Sequence, residues 1–172
     1  MPIYALGDRR PTIDPSAFIH PDAVLIGDVR IGAESSVWPT AVLRGDHGAV
    51  IVGSRTSIQD GTIVHCTSTL DTVIGDRCVI GHNAHLEGCT IHDDSLVGSG
   101  SVVLHRVEVG PMALVGAGAF VGNDKVVPPH ARALGVPAVI TEDVVEDGAF
   151  DNAVAHYVHN VHWYSAELRR LD

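Results

Sequence analysis

Aliphatic residues return every six positions through most of the chain: Ile13, Ile19, Leu25, Ile31, Val37 and Leu43, then Val52, Ile58 and Val64, then Ile74, Ile80 and Leu86. After a slip of one residue the series resumes at Ile91 and runs through Val97, Val103, Val109, Val115 and Val121 to Val127. Four positions after most of these sits a small residue, among them Ala23, Ser35, Ala41, Thr56, Cys78, Ala84, Thr90, Ser95 and Ala113. Neither a 3.6-residue helix nor a two-residue strand alternation produces this beat. A prism of short parallel strands wound in coils does: the aliphatic residue fills the axis and the small one fits where the wall turns a corner. A sandwich of hairpins would need Asn-Gly or Asp-Gly turns at intervals, and only Asp60-Gly61 and Asp147-Gly148 occur.

The pattern therefore predicts an all-β parallel β-helix of hexapeptide repeats over residues 13–139, preceded by a lead-in strand in residues 1–12. Two loops interrupt it, around Asp46–Ile51 and around Cys66–Val73. Pro128, Pro129 and Pro137 mark the end of the coil, because proline cannot donate to another ladder. In residues 140–172 the period changes, and from about Asp147 the apolar positions Phe150, Val154, Tyr157, Val158, Val161, Tyr164, Leu168 and Leu171 follow helical spacing. One amphipathic helix results, docking on its own prism or a neighbour's. It is also a candidate cap for the strand edges at the end of the solenoid.

Three six-residue walls make one coil, so residues on every third wall stack about 4.8 Å apart. With the two loops treated as excursions, Leu43, Val64 and Leu86 share a wall, and the positions after them form a column of Arg44, His65 and Glu87. Val37, Ile58 and Ile80 share another wall, which puts Asp60 beneath His82 and Gln59 beneath Gly81. His65 and Glu87 are thus neighbours while His82 lies on a different wall, reachable only across an interface between two prisms. Two imidazoles and a carboxylate at facing positions suit an open catalytic zinc site. The other reading of the same set is interface salt bridges and hydrogen bonds with no metal.

The charge balance narrows the partners. The chain has 172 residues, with 21 acidic against 11 basic side chains and a formal net charge of −10. Lys125 is the only lysine, so a nucleic-acid or anionic-membrane surface is not expected. The opening residues show no charged-then-apolar signal pattern, and no stretch is long enough to span a bilayer. Cys66, Cys78 and Cys89 lack paired CxxC spacing and read as buried thiols in a reducing cytoplasm.

The elements Arg44-Gly45-Asp46, Ser57-Ile58-Gln59-Asp60-Gly61-Thr62-Ile63-Val64-His65 and Ile80-Gly81-His82-Asn83 resemble those of the gamma-class carbonic anhydrases, and the likeness extends over nearly the whole chain. The resemblance implies a left-handed coil, a homotrimer, and a metal (Zn²⁺, with Fe²⁺ or Co²⁺ as alternatives) bound at subunit interfaces by two residues of one subunit and one of its neighbour. His65 and His82 match two of the family's three histidine ligands. The third position holds Glu87, with His85 two residues earlier as the alternative ligand. A carboxylate there cancels one unit of metal charge, so the acidity of a bound water rises less. By the same resemblance Arg44 and Asp46 match a pair that bridges subunits. Gln59 matches a residue that hydrogen-bonds the hydroxide or substrate, and Asp60 a supporting carboxylate. The family's proton-shuttling glutamate is absent from the loop Thr67–Thr72, leaving His47 as the candidate shuttle. Tyr157 is a candidate for reaching the site from the helix.

The implied activity is reversible hydration of CO2 to bicarbonate by a metal-bound hydroxide. Two other classes stay open. One is a non-catalytic trimeric scaffold or binding protein that kept the fold. The other is a CoA-dependent acyltransferase, which in this architecture uses a groove histidine and usually a long inserted loop that this chain lacks.

Overall fold

The computed structural model describes residues 2–172 and is a parallel β-solenoid followed by a single helix, Asp151–Glu167. Three walls enclose one axis. Along the first, Leu25, Leu43, Val64, Leu86, Val103 and Val121 are paired in parallel, one directly above the next. Ile31, Val52, Ile74, Ile91, Val109 and Val127 do the same on the second. On the third, Ile19, Val37, Ile58, Ile80, Val97 and Val115 stack in turn. Every one of these side chains is buried and together they form a single core cluster. Each removes a Val, Leu or Ile from water, worth roughly 1.5–3 kcal/mol, and the stack supplies the main driving force for the coil.

The corner column is also present. Ala23, Ser35, Ala41, Cys78, Ala84, Ser95 and Ala113 are fully or almost fully enclosed. The small hydroxyl residues satisfy the wall above them: Thr56 Oγ1 donates to the Gly75 carbonyl at 2.7 Å and Thr62 Oγ1 to the Gly81 carbonyl at 2.8 Å. At the one-residue slip Cys89 takes the corner in place of Thr90, which is only half-buried.

Four expectations need correction. The first loop is not a break: Val42–Val52 is one continuous strand bent round a corner, pairing with Ile63–His65 through its first half and Thr72–Ile74 through its second. Its extra residues, 46–49, bulge opposite the single residue Asp28, the register passing from Gly27↔Gly45 to Val29↔Val50. The bulge works because Gly45 has no side chain: a Cβ there would lie 2.2 Å from the Asp28 carbonyl oxygen. Secondly, the lead-in contains two short strands, Ile3–Tyr4 and Thr12–Ile13, both laid parallel on Val24–Ile31. Thirdly, the C-terminal end of the coil is closed by a strand and not by the helix. Val139–Thr141 turns back antiparallel onto Arg132–Leu134, so the sheet continues past residue 139. Finally, the helix begins at Asp151 and not near Asp147.

The helix docks on the third wall of its own prism. Val161 packs with Phe18 and Trp38, flanked by Tyr157 and Tyr164. The Trp38 indole N–H donates to Ser36 Oγ at 2.9 Å and Ser57 Oγ at 3.0 Å, so the ring is buried without an orphaned donor. Leu168 and Leu171, expected on the apolar face, are exposed beyond the docked turns. Among the described residues no helix is long and apolar enough to cross a membrane.

Candidate metal centre

Parallel pairing sets Arg44 beside His65 and His65 beside Glu87 on the first wall. Each follows an axial residue, so each points outward, and the column stands along the outer face. Thr72 ties the coils that carry it together. Its buried hydroxyl donates to the His65 carbonyl and accepts the Gly88 N–H at 2.7 Å, from the residue after Glu87.

His65 is held at both ring nitrogens. Nε2 meets Asp46 Oδ1 at 3.0 Å, and Nδ1 faces Glu87 Oε1 at 3.4 Å. Asp46 also accepts the backbone N–H of His47 at 2.9 Å and pairs with the Arg44 guanidinium. Arg44 and Asp46, expected to bridge subunits, also meet each other within this chain. Burial pushes the Asp46 carboxyl up, but the hydrogen bonds from His65 and His47 and the charge of Arg44 outweigh it and hold the group at about 2. Glu87 is treated the same way: burial raises it, while the His65, His105 and His85 rings bring it below the ordinary carboxylate range.

His82 lies elsewhere. It follows Ile80 in the other sheet, where its Nδ1 sits 3.0 Å from Asp60 Oδ2. Gln59, beneath it, is buried with 5% of its surface exposed, and no other side chain among the described residues engages its amide. Tyr157 reaches this region from the helix, its ring 5.8 Å from Trp38, and burial and the Asp60 charge push its hydroxyl up. His47 is exposed on the bulge, facing the cleft bordered by Arg9, Arg30 and Thr67.

These donors suit a divalent cation. Two ligands bound at 2.0–2.1 Å to one tetrahedral ion lie about 3.4 Å apart. That is the separation between His65 Nδ1 and Glu87 Oε1. The second nitrogen of His65 sits on a carboxylate, the arrangement that fixes the ring of a metal-bound histidine. A second candidate set is Asp46, His65 and Cys66, whose donor atoms lie within 4.8 Å of one another. Cys66 is buried, and its Sγ accepts the Gly48 N–H at 3.2 Å. Two partners of Glu87 went unremarked in the sequence as a group: His85 Nε2 lies 3.4 Å from Oε2, and His105 Nε2 lies 3.5 Å from Oε1. His105 carried no signal by six-residue spacing.

Comparison with known proteins identifies the family and the fold. Residues 71–105 and 88–123 match the family model for bacterial transferase hexapeptide repeats. The chain is 41% identical over 147 residues to the carnitine operon protein CaiE of Escherichia coli, covering 86% of this chain and 75% of that one. It is 44% identical over 127 residues to gamma carbonic anhydrase 2, mitochondrial, of Arabidopsis thaliana, covering 70% of this chain and 46% of the plant protein. The chain thus matches about half the length of that plant relative. A solved structure titled as a hexapeptide transferase family protein from Anaplasma phagocytophilum superposes with a TM-score of 0.89 at 33% identity, covering 95% of this chain and 98% of the other. Coil and repeat together define a hexapeptide-repeat β-solenoid. Within that class, the chain belongs to the gamma-class carbonic anhydrase family.

Proposed function

We propose that this protein is a trimeric, metal-dependent lyase that hydrates CO2 reversibly. In this reading His65 and Glu87 of one subunit and His82 of its neighbour hold a divalent ion, Zn²⁺ being the first choice and Fe²⁺ or Co²⁺ the alternatives. The observation that carries it is the His65–Glu87 pair, at tetrahedral ligand spacing with Asp46 fixing the far side of the imidazole. When bound, such an ion supplies a water acidic enough to serve as a nucleophile near neutral pH.

The chain's own groups do the rest. Asp46, ionised and anchored by Arg44, keeps the His65 ring oriented and its Nδ1 free to ligate. Asp60 does the same for His82 at 3.0 Å. Gln59, buried and unengaged by other side chains, offers its amide to orient a small linear substrate. His47 is the candidate to take the released proton to solvent from the bulge. Ligands on two walls cannot meet within one prism, and a ring of copies is the usual closed solution to a head-to-tail contact.

A second reading is favoured by the ion-pairing of Glu87, whose carboxylate lies within 3.5 Å of three histidines. That arrangement is compatible with a scaffold that retains the fold alone. A CoA-dependent transferase is the third class and predicts CoA binding. The test is metal analysis of the purified protein together with sedimentation and a CO2-hydration assay. One metal per subunit, a trimer and hydration that a chelator abolishes are the expected results. A metal-free monomer without activity overturns the proposal, and CoA binding in place of metal turns it towards the transferase class.

A further inference from the structure

His105 and His65 approach the same oxygen of Glu87, at 3.5 Å and 3.4 Å. Among the described residues their donor atoms do not join Glu87 in any group of three lying within 4.8 Å of one another. The two rings therefore flank Oε1 instead of converging on one point, and His105 cannot share an ion with His65 in this arrangement. A group that contacts the ligating oxygen from outside the ligand set has one evident use. We propose that His105 is a positioning residue for the metal site, presenting Glu87 Oε1 to His65 as a single-oxygen ligand. The inference rests on the metal-dependent reading given above.

The local fold explains why His105 stands there. Leu86 pairs with Val103, which sets position 105, two residues further on, over Gly88, and the Arg106 N–H bonds the Gly88 carbonyl at 2.7 Å. Gly88 has φ +62, and a Cβ there would come within 3.2 Å of the His105 ring. Glycine at 88 leaves the space into which that ring leans towards Glu87. The Asp124 N–H closes on the His105 carbonyl at 3.0 Å and secures the backbone behind it. His85, by contrast, touches Oε2, the oxygen away from His65.

Partners that orient a metal ligand typically contribute 10–100-fold to metal affinity. The experiment measures Zn²⁺ and Co²⁺ dissociation constants by chelator competition on the purified full chain. It compares the parent with His105→Ala, His105→Gln and Glu87→Ala, and records the visible spectrum of each Co²⁺ form. His105→Ala is expected to weaken binding about 10–100-fold and to alter the Co²⁺ spectrum as the freed carboxylate changes its mode of ligation. His105→Gln, which keeps an N–H donor at similar reach, is expected to recover most of both. If His105→Ala leaves affinity and spectrum unchanged while Glu87→Ala lowers affinity, the positioning role is overturned and the metal reading stands. A loss that glutamine fails to restore overturns the role of the N–H donor. A parent that binds neither ion overturns both inference and reading.

Discussion

Asp46→Asn tests whether the carboxylate beneath His65 is held as an anion by its surroundings. The side chain is 14% exposed, and it meets His65 Nε2 at 3.0 Å, the His47 N–H at 2.9 Å and the Arg44 guanidinium. Burial raises its pKa, but these partners outweigh it and bring the group from 3.8 to about 2. A carboxyl depressed in the folded state contributes stability that is fully present above the unfolded value and is lost as pH falls through the folded one. The window is therefore between about pH 4 and about pH 2. At 1.36 kcal/mol per decade the depression corresponds to about 2 kcal/mol, and solvent at the edge of the group reduces this to about 1–2 kcal/mol. The assay is denaturant unfolding of parent and variant across that range at one fixed protein concentration, since association shifts apparent stability. The parent should exceed Asp46→Asn by about 1–2 kcal/mol near neutral pH, with the gap closing below about pH 4. A gap that persists undiminished to about pH 2, or none at neutrality, would refute the reasoning.

Glu87→Ala should lower metal occupancy by at least tenfold while His85→Ala leaves it near that of the parent, read by metal analysis after dialysis; the reverse result makes His85 the ligand. Glu87→His replaces a carboxylate with a neutral imidazole and returns one unit of positive charge to the ion. The bound water becomes more acidic, and CO2 hydration near neutral pH should rise when followed by stopped-flow indicator. Cys66→Ala should retain metal; loss of the ion would place it between Asp46, His65 and the thiol instead. Thr72→Val removes the acceptor of the Gly88 N–H and the donor to the His65 carbonyl. It should cost about 1–3 kcal/mol in denaturant unfolding, the penalty for a buried group left unpaired, and an unchanged midpoint would mean that the coils are held without it.

The solenoid was legible because its chemistry repeats. An axial position enclosed on all sides accepts only an aliphatic residue, and a corner accepts only a small one, so the same demand is written at Leu25, Leu43, Val64, Leu86, Val103 and Val121. The misread features are those where backbone geometry overrides side-chain type. Residues 46–49 are polar and small, like a loop, yet flanking ladders on two walls hold them within one strand as a bulge. The antiparallel return at Val139–Thr141 follows a proline, where the sequence alone predicts that pairing ends. Its ring bars donation only at its own position, so a reversed strand still forms immediately after it.

The site was legible to the extent that it obeys the period. Counting walls was enough to set His65 beside Glu87 and Asp60 beneath His82, because a parallel ladder converts sequence spacing directly into adjacency. His105 escaped because its coil places it over Gly88 and not over Glu87: Leu86 pairs with Val103, so Leu104 stands above Glu87 and 105 above 88. Column counting therefore gives His105 no polar neighbour. Gly88, however, has a positive φ and no side chain, and the imidazole leans across it to within 3.5 Å of Glu87 Oε1. A ladder converts spacing into adjacency along a column, whereas this contact is diagonal and exists because the residue directly beneath is a glycine. A glycine beside an outward carboxylate in a solenoid is thus a place to look for a side chain from the next coil.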